Sequence, residues 1–390
     1  MKIGFFLPNA TFDLPGTVEV GGIESFAFTV GEAMQEMGHE VVLFGGKPKF
    51  GRSHRVTPLR LRLFDYWETR RILNLGTRFQ RLVQRVHFGL KCHRAWLDEK
   101  FDVAILAKPF DWPVAWRWKA VQPNQRIIMG WHGTDFYPGD SFFYRSVDAA
   151  FAVSNSVADQ ALKRVGSRPV VIPNPVDTQI FSPAEDLPEP TTMMRLAAHG
   201  RLVGWKGFAH LIEAIAIAKE AGLKVACQIA GEGPQQKELE ALIKQHDVEL
   251  NVRLTGRLDH DDLRELLNSA DAYVAPSVGD EAFSIAAAEA VSVGLPVLLS
   301  SKIGLREYLG SQDCLTFQAG DVKDLAKGLQ ELSARRMLSS WNNRAARHSR
   351  VKNLFSARAI ANKILALQPG QGVSKAVKAI SASTSGVASS

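Results

Sequence analysis

Short apolar runs alternate with longer stretches of helical period along most of this sequence, and the alternation occurs twice. In the first half, residues 3–7, 40–44, 102–106, 125–130, 149–153 and 169–172 read as strands, and a helix is expected to begin near Gly22 and end near Gly38. Residues 181–190 then carry three prolines and three acids without periodicity and read as a linker. A second series follows, with strands at 194–199, 224–230, 252–255, 272–275 and 296–299 and helices at 209–221 and 235–246. Strands joined through helices pair in parallel, because a tight turn cannot connect parallel neighbours, and the helices then cover both sheet faces. A chain of 390 residues exceeds one ordinary core. The expected architecture is therefore two parallel-sheet α/β domains, with chemistry in a cleft outside the carboxyl ends of the strands.

The net charge of +7 is local. Residues 52–94 hold eleven basic side chains and two acids, a balance of +9, so the remainder of the chain is near neutral. Within that span Ile72, Leu75, Phe79, Leu82, Val83, Val86 and Leu90 recur at helical spacing, while Arg71, Arg78, Arg81 and Arg85 fall largely away from them. Such a segment is either a core-facing helix with a solvated basic face or an interfacial surface for an anionic membrane or a phosphorylated glycolipid. No nucleic-acid motif accompanies it, and nucleic acid is not an expected partner. Cys92, Cys227 and Cys314 lie far apart in no metal or redox spacing, which points to free thiols in a reducing compartment. Residues 1–8 are apolar but too short for a signal-peptide core and read as a first buried strand. The apolar window 282–299 contains Glu289 and Pro296 and changes from helix-like to strand-like composition, which argues against a membrane span.

Four segments carry candidate chemistry. In Asp280-Glu281-Ala282-Phe283-Ser284-Ile285-Ala286-Ala287-Ala288-Glu289, two glutamates stand eight positions apart across a small, apolar run. Eight positions is just over two helical turns, so both carboxylates are expected on one helix face. Buried carboxylates need partners, and sugar hydroxyls would serve. Gly200-Arg201-Leu202-Val203-Gly204-Trp205-Lys206-Gly207 puts two cations on a glycine-bearing loop that enters a helix. It is either a solvated loop or a seat for a diphosphate. Gly21-Gly22 after the first strand allows close backbone approach, and without a GxGxxG pattern it implies no dinucleotide. His132, in Trp131-His132-Gly133-Thr134-Asp135, follows a buried strand and is either structural or directed at a ligand, with Asp135 available to orient it. Asp259-His260-Asp261-Asp262 contains a literal D-x-D, but Asp259 suits a helix cap and no metal site is expected.

In order and spacing these segments resemble the retaining glycosyltransferases of family 4, over roughly residues 1–340 and most strongly over 199–310. The resemblance implies the GT-B fold: two Rossmann-like parallel-sheet domains facing a cleft. The expected divisions are an acceptor-side domain at 1–182, a nucleotide-sugar domain at 191–350, a crossover helix at 351–367 and a disordered tail at 368–390. Arg201 and Lys206 would hold the donor diphosphate, Glu281 the donor sugar and Glu289 the nucleotide ribose. His132 would lie near the sugar. Gly21 and Gly22 would line the phosphate and acceptor side, and backbone amides around Phe283, Ser284 and Ile285 would reach phosphate or sugar. No cofactor and no metal are implied, only a nucleotide-diphosphate sugar as donor. The acceptor class is a lipid-linked or phosphorylated glycan, with lipopolysaccharide core or a related envelope glycan favoured. The expected location is cytoplasmic, peripheral on the inner face of the plasma membrane. A GT-B sugar-nucleotide epimerase and a non-catalytic sugar-nucleotide-binding scaffold are the alternatives. The sequence departs from the family pattern at Ser284, where glycine is usual, at Ile303-Gly304 before Glu307, and at Pro175 after Asn174.

Overall fold

The computed structural model describes residues 1–11, 22–47, 57–65, 72, 73, 75–133, 137, 139–186, 191–336, 338, 341 and 343–373. The chain forms two compact units, Met1–Pro175 with Ala357–Ser390, and Val176–Ser356.

The first unit holds strands β1 (Lys2–Thr11), β2 (Glu40–Gly46), β3 (Arg60–Phe64), β4 (Val103–Leu106), β5 (Arg126–Trp131), β6 (Ala149–Ala152) and β7 (Val170–Val171). They pair in parallel in the order β3-β2-β1-β4-β5-β6-β7. Helices α1 (Gly22–Glu36), α2 (Thr77–Glu99), α3 (Trp112–Val121), α4 (Asp140–Phe143) and α5 (Asn155–Val165) connect them. The second unit pairs β8 (Met194–His199), β9 (Val225–Ala230), β10 (Val252–Gly256), β11 (Ala272–Ala275), β12 (Val297–Ser300) and β13 (Cys314–Phe317), again in parallel, in the order β10-β9-β8-β11-β12-β13. Its helices are α6 (Phe208–Glu220), α7 (Gln236–Gln245), α8 (His260–Ser269), α9 (Ile285–Ser292), α10 (Val322–Arg335) and α11 (Arg344–Phe355). Central strands β4, β6, β11 and β12 are buried at every position, as strands covered on both faces must be. Each sheet reverses its winding once, between β1 and β4 and between β8 and β11. Strand ends at such a reversal open a crevice for ligands.

Where the sequence suggests one final helix near 351–366, the structure has two. Helix α11 ends at Phe355, Ser356 bridges to Val176, and α12 (Ala357–Leu365) belongs to the first unit. There Ile360, Ala361 and Ile364 join the core formed with Phe26, Val30 and Phe5. Residues 368–373 are ordered as well. The Gln371 carbonyl accepts from the Ala150 amide at 3.0 Å, and the Gly372 carbonyl accepts from the Tyr144 hydroxyl at 3.0 Å. The remainder of the expected tail, 374–390, lies outside the described residues. The first part of the acidic, proline-rich segment is docked on the second unit: the Phe181 carbonyl accepts from Ser292 Oγ at 2.7 Å, and the Ala184 amide donates to Asn268 Oδ1 at 2.9 Å.

Helix α2 is a second correction. Its buried face carries Gln84, Arg85, Phe88, Cys92, Trp96 and Glu99. Arg85 is no surface cation: its guanidinium forks onto the fully buried Asp111 at 2.6 and 2.8 Å. Arg60 and Arg62 are engaged with Glu99. Among the apolar stripe read from the sequence, Ile72 is buried, whereas Leu75 is 64% exposed, Phe79 39% and Leu90 54%. Among the described residues no helix is long and apolar enough to cross a membrane.

Candidate functional site

The reversal in the second sheet brings together the loops that follow β8 and β11. After β8 the chain turns at Gly200 (φ +147°), forms a short 3-10 turn over Gly204–Lys206 and enters α6 through Gly207 (φ +72°). A β-carbon on Gly207 would stand 2.1 Å from the Pro276 carbonyl oxygen, so only glycine fits. The Trp205 carbonyl accepts from the amides of Val278 at 2.9 Å and Gly279 at 3.1 Å, stitching this loop to the one after β11. Across the stitch, Lys206 Nζ donates to Glu281 Oε1 at 2.6 Å, and Ser277 Oγ donates to Glu281 Oε2 at 2.6 Å. Lys206 also lies 4.7 Å above the Trp205 ring. At 14% and 12% side-chain exposure the ion pair is mostly desolvated, so neither charge tolerates loss of its partner. Arg201, on the same loop, is exposed and has no ion-pair partner among the described residues.

The two glutamates do not share a helix face. Glu281 lies in an extended segment bridged to Ile303, its amide donating to Lys302 and its carbonyl accepting from Gly304. Helix α9 begins only at Ile285 and carries Glu289. The break occurs at Ser284, whose φ of 78° is left-handed backbone and whose Oγ accepts from the Ala287 amide at 3.4 Å. Phe283 turns inward, 5.5 Å from the Phe355 ring and 5.9 Å from the Tyr308 ring, so its side chain is core and only its backbone is available to a ligand. The amides of Phe283, Ser284 and Ile285 find no acceptor among the described residues and sit at the positive end of α9. Glu289 Oε2 is met by His199 Nε2 at 2.9 Å. Both carboxylates act on Tyr273 of β11. Burial first, and then these two charges, push its phenol well above its ordinary 10.

Three contributors escape sequence reasoning. His199 is brought to Glu289 by the sheet register, and Ser277 reaches Glu281, four residues on, within the loop after β11. Gly231-Glu232-Gly233 follows β9 directly: a β-carbon on Gly231 would meet the Gly200 carbonyl at 1.9 Å, and one on Gly233 the Leu202 carbonyl at 2.3 Å. The Leu202 amide donates to the Glu232 carbonyl at 2.8 Å, so this tight pair of glycines supports the Arg201 loop from behind. A Gly-x-Gly straight after a strand is the signal that could have found it.

In the first unit, His132 follows β5. Its Nδ1 lies 3.1 Å from Asn174 Oδ1, and its ring packs edge-on against Phe26 of α1 at 4.4 Å. Burial pulls its pKa down from 6.5 to about 4, against the opposing bond from Asn174 and with help from the Lys108 charge. Its Nε2 is buried and has no partner among the described residues. The orienting partner is thus Asn174; Asp135 lies outside the described residues, as does Gly21. Gly22 is the first residue of α1. Asp259 is the N-cap of α8 and accepts from the Asp262 amide at 2.9 Å.

The family model "Glycosyltransferase Family 4" matches residues 20–180, and "Glycosyl transferases group 1" matches 184–349. The chain is 28% identical to a component of the phosphatidylinositol N-acetylglucosaminyltransferase of Arabidopsis thaliana over 57% of this chain and 49% of that protein, so it spans about half of that relative's length. It is 26% identical to phosphatidyl-myo-inositol mannosyltransferase of Mycobacterium leprae over 85% of this chain and 87% of that one. Among solved structures, Anabaena Alr3699/HepE in complex with UDP superposes with a TM-score of 0.72 at 15% identity, covering 94% of this chain and 98% of that one. The lipopolysaccharide outer core galactosyltransferase WaaB, in its apo form, superposes with a TM-score of 0.68 at 16% identity, covering 94% and 99%. With the two family models in succession along one chain, and a parallel sheet in each unit, the protein belongs to glycosyltransferase family 4 and has the GT-B fold.

Proposed function

We propose that the protein transfers a hexose, with retention and without a metal, from a nucleotide-diphosphate sugar to a lipid-linked saccharide of the lipopolysaccharide-core or related envelope type. The observation that carries this is the Lys206–Glu281–Ser277 cluster at the reversal of the second sheet, with the exposed Arg201 on the same loop. When the C1–oxygen bond breaks, negative charge collects on the departing diphosphate and positive charge on C1. Arg201, Lys206 and the amides of Phe283, Ser284 and Ile285 stabilise the first. Glu281 accepts hydroxyls of the donor sugar, and that bond strengthens as C1 becomes positive. In the resting protein Lys206 and Glu281 satisfy each other, so donor binding exchanges this internal pair for contacts with diphosphate and sugar. Glu289 takes the ribose. His132 offers a substrate hydroxyl its buried Nε2, with the Nδ1 proton donated to Asn174. The leaving phosphate takes the acceptor proton on the same face, so no nucleophilic carboxylate is needed.

The acceptor class is supported by the names of the Arabidopsis and M. leprae relatives, both of which refer to phosphatidylinositol lipids, and by the surface around the start of α2. There Leu73 and Leu75 are exposed beside Arg78 and Arg81.

The test begins with turnover on a panel of nucleotide sugars with glycolipid acceptors. Arg201→Ala or Lys206→Ala is expected to lower kcat by roughly 10²-fold or more, the ~2.7–4 kcal/mol scale of one lost transition-state charge partner. Turnover in EDTA should persist. Wild-type rates in either variant would remove the diphosphate assignment, and loss in EDTA restored by Mn²⁺ would reinstate a metal.

A further inference from the structure

Glu289 is held from outside its own helix. His199, the last residue of β8, presents Nε2 to Glu289 Oε2 at 2.9 Å. The Tyr273 hydroxyl clamps the His199 backbone on both sides, accepting from its amide at 3.4 Å and donating to its carbonyl at 3.3 Å. The two rings also meet edge to face at 5.4 Å. His199 Nδ1 is buried and has no partner among the described residues. A buried N–H without an acceptor costs more than a buried bare lone pair, so the ring proton sits on Nε2, which donates to the carboxylate. That leaves Glu289 Oε1 with no partner among the described residues, on a side chain that is 18% exposed.

We propose that His199 is a positioning residue: it fixes the Glu289 carboxylate through one oxygen so that the other receives the vicinal diol of the nucleotide ribose. This rests on the ribose reading of Glu289. A free glutamate on the first turns of a helix samples several rotamers, and ordering it at the moment of binding would cost affinity. Because the diol is the group being read, His199 sets the preference for ribonucleotides over 2′,3′-dideoxynucleotides and does not set affinity for the diphosphate.

The full-length protein is titrated calorimetrically with UDP, GDP and ADP, and the best-bound of these is compared with its 2′,3′-dideoxy form. Wild type should prefer the ribo form by about tenfold or more, the scale of a hydrogen bond to a charged group. His199→Phe keeps the ring against Tyr273 and removes the donor. It should weaken the ribo form by about tenfold and leave the dideoxy form within about twofold. His199→Gln, whose amide can donate from a similar place, should restore most of the preference. If Glu289→Gln retains the ribo preference, the ribose reading of Glu289 falls. If Glu289→Gln abolishes it while His199→Phe does not, or if His199→Phe weakens both forms equally, the positioning role alone is overturned.

Discussion

His132 is an imidazole that burial keeps uncharged, and this has a consequence for pH. In the unfolded chain it takes a proton near 6.5, in the folded protein only near 4. The unfolded state therefore binds the extra proton first as the pH falls. The stability His132 allows is fully present above 6.5 and is lost between 6.5 and 4, by at most about 3 kcal/mol at ~1.36 kcal/mol per unit. His132→Gln should flatten that part of the curve. Urea unfolding at pH 7 and 4.5, followed by the fluorescence of Trp96, Trp112, Trp118 and Trp131 around the same sheet, measures it; an equal loss of stability in wild type and variant would contradict the buried neutral ring. At this scale the sequence shows the residues whose spacing is local. Arg201 and Lys206 lie on one loop and Glu281 and Glu289 on one run, whereas His199 and Asn174 meet partners 90 and 42 residues away only through the folded sheets, and Ser277, four residues before Glu281, carries no signal of its own in the sequence. Ser284 is intermediate. Its place in a position usually held by glycine is visible, but the reason, a left-handed φ of 78° that costs a β-carbon-bearing residue about 1–2 kcal/mol, is not.

Among the elements, α2 has the right period and a different phase. The polar Arg85 and Glu99 are buried because each finds opposite charge, Arg85 in Asp111 and Glu99 in Lys2, Arg60 and Arg62. Partners so distant along the chain cannot be anticipated from helical spacing. Strand β3 is missing from the strands read in the sequence for a related reason: Arg60-Leu61-Arg62-Leu63-Phe64 sits inside the basic span 52–94, and the Glu99 that pairs with its arginines lies far along the chain. What stays at the surface is the N-terminal end of α2, with Arg78 and Arg81 beside Leu73 (72% exposed), Leu75 and Phe79. Apolar side chains that enter a bilayer and cations that meet its headgroups should leave different salt signatures. Arg78→Gln with Arg81→Gln should weaken binding to phosphatidylglycerol vesicles about 30-fold at low salt, at ~1 kcal/mol per cation, and hardly at all at high salt. Leu75→Ser with Phe79→Ser should weaken it at both. Arg85→Gln should instead destabilise the fold by about 3–5 kcal/mol, because it strands the buried Asp111. Vesicle sedimentation at two salt concentrations decides, and a wild type that ignores the vesicles at low salt would rule out a membrane role for this surface.

At the scale of the whole molecule, the chain enters the second unit after Pro175, leaves it after Ser356 and completes the first unit with α12. The alternation of strands and helices makes the two sheets legible. The return at Ser356 is not, because neither glycine nor proline marks it and 351–366 keep a helical pattern throughout. Helix α12 is not an accessory. Ile360, Ala361, Ile364 and Leu367 are buried in the first core, the Arg126 guanidinium donates to the Leu365 carbonyl at 3.1 Å, and the Gly370 amide donates to the Asp148 carbonyl at 2.7 Å. Burying three large aliphatic side chains contributes about 5–9 kcal/mol, at ~1.5–3 kcal/mol each. That matches the whole net stability of an ordinary domain, about 5–15 kcal/mol. A chain ended after Ser356 should therefore lose the first unit and keep the second, whose core is made entirely of residues between Met194 and Trp341. In hydrogen exchange, amides of β1, β2 and α1 should fall to little protection, while those of β8, β9 and α6 stay near the full-length values. The nucleotide binding proposed for Arg201, Lys206 and Glu289 should survive in the same truncated chain, because all three lie on the unit that remains folded. Wild-type protection of α1 in that chain would show that α12 is dispensable and that the first core closes without it.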